Sequence, residues 1–322
     1  MNTSVLVPNI NTATRTPFGH KMLKDTSRFE SIGGVMAEAG LDYTVEKVGL
    51  QTEPIITPDG VTTVEMPDHQ AIVRWHNNRP IPFTPVGNGY TVIQNADAFA
   101  PLEYLWDEGF IKHIQSAGTL NEGRRAFMLA ELSSTSMLAD PHERYILVTT
   151  THDGTGALIV RGWSKRLACS NQIPAILRKG SRIASIRHTA NAALNVGNIR
   201  SAMLSAIRDM DDYDRDYQRL LDTPMHYGDR RHFVNTMFSM PENATPRIED
   251  RVNSDRAMLD RLIAGKANEN ILGTGAALFQ AAVEWHDYHS RGNRGERIIK
   301  GADIAFKTRA FAIANRVAGL VH

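Results

Sequence analysis

The runs IKHIQSAGT (Ile111–Thr119) and RRAFMLAEL (Arg124–Leu132) flank the turn Asn121-Glu122-Gly123. The runs YILVTTT (Tyr145–Thr151) and ALIVRGW (Ala157–Trp163) flank the turn His152-Asp153-Gly154-Thr155-Gly156. Each pair is rich in β-branched and aromatic residues and is broken by turn chemistry that favours positive φ, which is the signature of a hairpin. Four such strands in succession predict an α+β fold: an antiparallel four-stranded meander packed by helices, followed by a helical C-terminal region.

Working outward, Asn95 reads as the N-cap of a helix that buries Phe99, Leu102, Leu105 and Trp106 and stops at Gly109. Upstream, a short helix from about Thr26 to Ala39 ends at Gly40, and Val61–Met66 and Ala71–Trp75 read as two short strands joined by Pro67-Asp68-His69-Gln70. Met1 to about Pro17 is polar, aperiodic and arm-like. Downstream, Ala192 to about Leu221 is helical, with Leu194, Ile199, Met203, Ile207 and Met210 on one side and an acidic run from Asp209 to Asp216. Further helices are expected over Gly273–Tyr288 and Ile298–Ala318. The expected organisation is therefore an N-terminal arm with short strands over 1–80, an α+β core over 81–222 and a helical region over 223–322.

Charge is distributed unevenly. The 322 residues carry 36 Lys and Arg against 35 Asp and Glu, a net charge of +1. Yet the 54 residues from Thr155 to Arg208 hold no carboxylate, where an even spread would place roughly six. The same stretch holds nine cations: Arg161, Lys165, Arg166, Arg178, Lys179, Arg182, Arg187, Arg200 and Arg208. A local field of that sign attracts polyanions, nucleic acid first among them. Within it, Arg161-Gly162-Trp163-Ser164-Lys165-Arg166 interleaves cations with an aromatic that is either a base-stacking platform or a core residue. Arg178, Lys179 and Arg182, followed by Arg187 and His188, form a second cluster among Gly and Ser that allow close backbone approach to phosphate. Arg124 and Arg125 are a third. The expected contacts to nucleic acid are these residues, and the acidic run from Asp209 to Asp216 is either an assembly surface or a solvated helix face.

Motifs for covalent chemistry are missing. Nothing fits the phosphate-binding loop Gly-x-x-x-x-Gly-Lys-Ser/Thr or the Gly-x-Ser-x-Gly elbow, and His152-Asp153-Gly154 reads as turn chemistry rather than a metal pair. Cys169, the single cysteine, forms no intrachain disulfide and reads as a buried small residue. No cofactor is expected. The chain also has no long apolar run, so a cytoplasmic protein without a membrane partner is expected, in the host cytoplasm if phage-encoded.

Several blocks carry a family resemblance. They are Gly89-Tyr90 with Gln94-Asn95-Ala96-Asp97-Ala98-Phe99, Ser116-Ala117-Gly118-Thr119-Leu120 with Gly123-Arg124-Arg125, Thr151 to Gly156, Arg166-Leu167-Ala168-Cys169-Ser170-Asn171, and Ile186-Arg187-His188-Thr189. Together with Ala39 to Tyr43 and the segment around Trp285, Asp287 and Tyr288, they resemble a phage/plasmid-like family of uncharacterised proteins over most of the chain. Ser170 departs from the pattern, which has Gln there. The genes that accompany this family imply a role similar to that of Red-beta-type single-strand annealing proteins, which form rings or filaments and use no ATP. The function expected is thus ATP-independent binding and annealing of single-stranded DNA by a homo-oligomer. A metal-dependent nuclease or other DNA-modifying enzyme, using Asp153 or the Asp209–Asp216 run, and a regulatory protein binding a protein partner are the alternatives.

Overall fold

The computed structural model describes residues 24–25, 28–76, 79–133, 138–166, 172–174, 184–189, 198–290 and 302–320. Apolar runs that fail to alternate explain the central sheet. Phe127-Met128-Leu129 and Tyr145-Ile146-Leu147-Val148 are buried without interruption, so both faces of these strands are covered. Strands β7 (Ile111–Leu120), β8 (Arg125–Leu132), β9 (His142–Thr151) and β10 (Ala157–Arg166) pair antiparallel in chain order. The expectation of a four-stranded sheet is corrected, because among the described residues the sheet has seven strands. β1 (Lys24–Asp25) adds to β7, while β11 (Gln172–Pro174) and β12 (Ala184–Arg187) both pair with β10. These additions are two to four residues long, too short for a period-2 pattern to register.

One face of the sheet packs on helices. Ala126, Met128, Ala130, Ile146, Val148, Leu158 and Val160 meet α1 (Ile32–Ala39), α2 (Asn95–Asp107) and the first half of α3 (Ile199–Asp222) in one core. The alternate positions Phe127, Leu129, Tyr145, Leu147 and Trp163 form a smaller core on the other face. The second half of α3 enters a separate core built with α4 (Tyr227–Met237), α5 (Pro246–Ile263), α6 (Gly275–Glu284) and α7 (Ala302–Val317). With 24 residues, α3 is about 36 Å long and spans both cores.

A second, three-stranded sheet of β2 (Thr44–Gln51), β5 (Glu65–His76) and β6 (Arg79–Gly87) precedes this body, with a small hairpin, β3 (Ile55–Thr57) and β4 (Gly60–Thr62), at its tip. Two short strands joined by Pro67–Gln70 were expected here, but β5 runs through as one 12-residue strand. Pro67 causes no break because it lies where the register with β2 shifts between Gly49 and Gln51, so its missing N–H leaves no ladder bond unmade. The outer edge of β2 is closed at Val45, whose N–H donates to Gln94 Oε1 (3.1 Å) and whose carbonyl accepts from Gln94 Nε2 (2.8 Å).

Polar side chains fasten the sheet to the helical region. Arg166 and Asp140 have no exposed side-chain surface, and Arg166 Nε donates to Asp140 Oδ2 at 2.6 Å. Tyr217 on α3 donates to the same oxygen at 2.6 Å, and Asn270 donates to Oδ1 at 3.0 Å. The other guanidinium nitrogens donate to the Ala267 carbonyl and to the side-chain oxygens of Asn268 and Asn270. Burial pushes the Asp140 carboxyl up, but the Arg166 guanidinium and the hydroxyl and amide donors outweigh it and hold the carboxyl below the ordinary range. Close by, Arg144 on β9 pairs with Asp211 at 2.7 Å and with Asp214, both on α3. Removing one partner of a fully buried pair leaves an uncompensated charge, so Asp140→Ala is expected to cost about 3–5 kcal/mol in denaturant unfolding. Asp212 is partly exposed and its partner Arg215 is exposed, so Asp212→Ala is expected to stay within about 1 kcal/mol of the parent in the same titration.

Candidate nucleic-acid interface

The eleven residues expected to contact nucleic acid, nine cations with Trp163 and His188, are not brought to one surface among the described residues. They divide by their position along β10. Even-numbered positions of that strand face α3, and odd-numbered positions face the smaller core. Arg166 therefore points into the Asp140 network, and Trp163 (1% exposed) is the core aromatic, packed with Tyr145 and Leu147. Arg161 is 4% exposed and lies within the field of Asp303. The expectation that Arg161, Trp163 and Arg166 meet phosphates or bases is corrected, because side chains this buried reach no external ligand. Alternation alone could not separate them from exposed residues, since both faces of this sheet are covered. Lys165, at the same end, is mostly buried and donates to Glu143 at 2.8 Å. Arg178, Lys179, Arg182, Cys169 and the Arg291–Arg297 loop lie outside the described residues.

Arg124, Arg125, Arg187 and His188 gather at the opposite end of the sheet. Arg125 is in register with Thr151 and Arg187 with Ala157. Three strand spacings, about 14 Å, separate Arg125 from Arg187. From the Ala157 row to Lys165 the strand runs eight residues, about 26 Å, so Lys165 belongs to a different region. The Asn121-Glu122-Gly123 turn makes this end possible. All three residues have positive φ (52°, 59° and 96°), which tightens the β7–β8 connection and sets Arg124 beside the three-stranded sheet. Arg124 donates from Nε and Nη2 to the Phe83 carbonyl, both at 3.3 Å, and pairs with Glu122 at 3.3 Å. Arg125 donates to Thr155 Oγ1 at 3.1 Å and lies 3.5 Å from Asp153. The Asp153 carboxylate also accepts from the Thr155 backbone at 3.0 Å, so this segment is an Asx-type turn as its sequence implied. Arg187 is exposed.

Residues that sequence reasoning did not select complete this end. The Arg74 guanidinium sits 4.0 Å above the Tyr43 ring and donates to the Glu122 carbonyl. The Tyr43 hydroxyl donates to the Gly123 carbonyl at 2.6 Å. Tyr90 stacks on His188 with 5.0 Å between ring centroids and donates to the Thr151 carbonyl. His188, 5% exposed, holds the Thr91 carbonyl at 3.0 Å through Nδ1 and thus locks the connection after β6 rather than presenting itself to solvent. Asn95, expected to cap α2, is buried instead. Its amide donates to the Leu41 carbonyl at 3.0 Å and its oxygen lies 2.8 Å from His152 Nε2. Burial drives His152 down to about 4, aided by nearby His188, and drives His142 in the Asp140 network down to about 4 as well.

The acidic run is also placed. Asp211 and Asp214 hold Arg144, Asp212 pairs with Arg215, and Asp216 pairs with Arg219. These carboxylates fasten helix to sheet and to their own helix. Further along the carboxylate-free stretch, Arg200 and Arg208 are exposed on α3, Arg200 lying over the Tyr104 ring. Among the described residues no group of three or more His, Cys, Asp or Glu could hold a metal ion, and no helix is long and apolar enough to cross a membrane.

Two of the buried histidines, His142 and His152, make stability depend on pH. Each is neutral in the folded chain down to about pH 4, whereas the unfolded chain protonates it below about 6.5. The unfolded state therefore binds more protons across that window, and folding stability must fall as pH drops from 6.5 towards 4. The loss is about 3 kcal/mol per histidine. A thermal-unfolding series over this range checks it, and His152→Gln is expected to flatten the dependence.

No curated protein and no solved structure matches the chain. The family model for a domain of unknown function, DUF932, matches residues 82–315, from β6 to within α7. The chain belongs to the DUF932 family.

Proposed function

We propose that this chain binds single-stranded DNA through its cationic surface and promotes annealing without ATP, in the manner of phage and mobile-element annealing proteins. The observation that carries this reading is the carboxylate-free stretch from Thr155 to Arg208, whose cations Arg187, Arg200 and Arg208 are exposed. Arg124 and Arg125 lie at the sheet end that bears Arg187, but Glu122 and Asp153 pair with them, so the proposal rests on Arg187, Arg200 and Arg208. Annealing requires no covalent chemistry. It requires cations that hold two phosphate backbones near each other while base edges stay free to pair. The buried Arg161, Trp163 and Arg166 have no part in this proposal, which leaves the binding mode electrostatic and tolerant of sequence. The resemblance to phage/plasmid-like proteins supports the same role.

The carboxylates that a nuclease reading would use are already engaged. Asp211 and Asp214 hold Arg144, and Asp153 serves Thr155 and Arg125.

Fluorescence anisotropy with a labelled single-stranded oligonucleotide over a salt series tests the proposal. The parent is expected to bind the single strand more tightly than a duplex, with a steep loss of affinity as salt rises. Arg187→Glu with Arg208→Glu is expected to weaken binding at least about tenfold and to flatten the salt slope by about 1.4, two phosphate contacts at about 0.7 each on a single strand. The pair is exposed, so thermal stability should be unchanged. An unaltered affinity in this folded variant rejects the surface, and no binding by the parent at low salt rejects nucleic acid as the ligand.

A further inference from the structure

The hairpin at the tip of the three-stranded sheet carries apolar side chains into solvent. Ile56 is 86% exposed and Val61, its cross-strand partner, 69% exposed. Ile55, Val64, Met66 and Val48 are exposed as well. From residue 53 to residue 69 every position except Thr57 is exposed, and β3 and β4 form a two-stranded sheet of their own. A lone two-stranded hairpin is marginal in water, and one with an Ile–Val pair facing solvent has the composition of an interface.

The charges on this arm indicate what covers it. Between Val48 and Val73 there are four carboxylates, Glu53, Asp59, Glu65 and Asp68, and no Lys or Arg. The whole chain carries +1, so with −4 on this segment the remainder carries +5. Two arms meeting tip to tip would bring eight carboxylates together around a small apolar contact, whereas an arm seated on the body of another copy meets opposite charge. The remainder of the chain, at +5, supplies that opposite charge, with Arg187, Arg200 and Arg208 among its exposed cations.

We infer that the hairpin arm Gln51–Glu65 is a self-assembly element that docks, through Ile56 and Val61, onto the cationic body of a second copy of this chain. The interface is head-to-tail, so each copy offers one arm and one acceptor face. Repetition of such a contact builds an open filament or, where the rotation closes, a ring. The contact is independent of nucleic acid.

Sedimentation velocity on nuclease-treated, full-length protein provides the test. The parent is expected to associate in a concentration-dependent way and to come apart as salt rises. Ile56→Asp with Val61→Asp is expected to weaken self-association by more than about tenfold, a loss of about 1.4 kcal/mol or more, with an unchanged unfolding transition because both side chains are already in water. Asp59→Lys with Glu53→Lys is expected to weaken it through charge alone. An affinity-tagged double-Asp variant is expected to retain the parent chain, since its acceptor face is intact, but not to retain itself. A parent that is monomeric at high concentration, or a double-Asp variant that still associates, overturns the proposal. Failure of the tagged variant to retain the parent also overturns it, in favour of arm-to-arm pairing. DNA affinity is measured separately, so loss of assembly with DNA binding intact, or the reverse, shows which of the two proposals has failed.

Discussion

The fully buried Arg166–Asp140 pair is the centre of the polar contacts that join two parts of this chain with separate hydrophobic cores. Arg166 leaves the last position of β10, and Asp140 lies just ahead of β9. Between them they gather a tyrosine of α3 and the asparagines of the short 3-10 helix Lys266–Ile271 before α6. Every nitrogen of the Arg166 guanidinium donates to an oxygen, and both Asp140 oxygens accept. Such a pair contributes little through its own Coulomb energy, because desolvating two charges consumes most of it. Its effect is geometric. Apolar side chains tolerate sliding, whereas an arginine with five directed donors accepts few arrangements. The register between sheet and helical region is therefore set by polar contacts, and the hydrophobic cores on either side supply the bulk of the stabilisation.

The same constraint explains why the basic stretch is misleading when read as charge alone. Of its nine cations, Arg166 and Arg161 are drawn inside, while Arg187, Arg200 and Arg208 are left on the surface. The cations inside are structural and are matched by carboxylates distant in sequence, Asp140 and Asp303. Local absence of carboxylates therefore does not mean absence in space. What remains at the surface is a sparser field at one end of the sheet and along the outer side of α3.

Much of the α+β arrangement was legible because hairpin turns and apolar runs are local signals. The Asn121-Glu122-Gly123 and Asp153-Gly154 turns needed only their own residues to be read. The short edge strands β1, β11 and β12 were not legible, since two to four residues carry no periodicity. α1 begins later than the sequence pattern predicts, at Ile32, because Ser31 caps it by accepting from the Gly34 N–H. Asn95 looked like a cap, but its partners, the Leu41 carbonyl and His152, are more than fifty positions away. The burial of Trp163 and Arg166 was hidden for the same reason. Whether an outward-pointing face of a strand meets water or a second layer is decided by chain that is remote in sequence.

Gln94 has a role beyond its two hydrogen bonds to Val45. Its primary amide matches the donor–acceptor spacing of a peptide group, so it occupies β2 as an incoming strand would. On the other flank, β6 carries Pro80, Pro82 and Pro85, which have no N–H to offer a neighbour. The side-chain plug at Val45 and the prolines of β6 each remove ladder positions that a foreign strand would need. The sheet that displays the oily tip thus has flanks on which a cross-β partner finds fewer backbone groups to pair with.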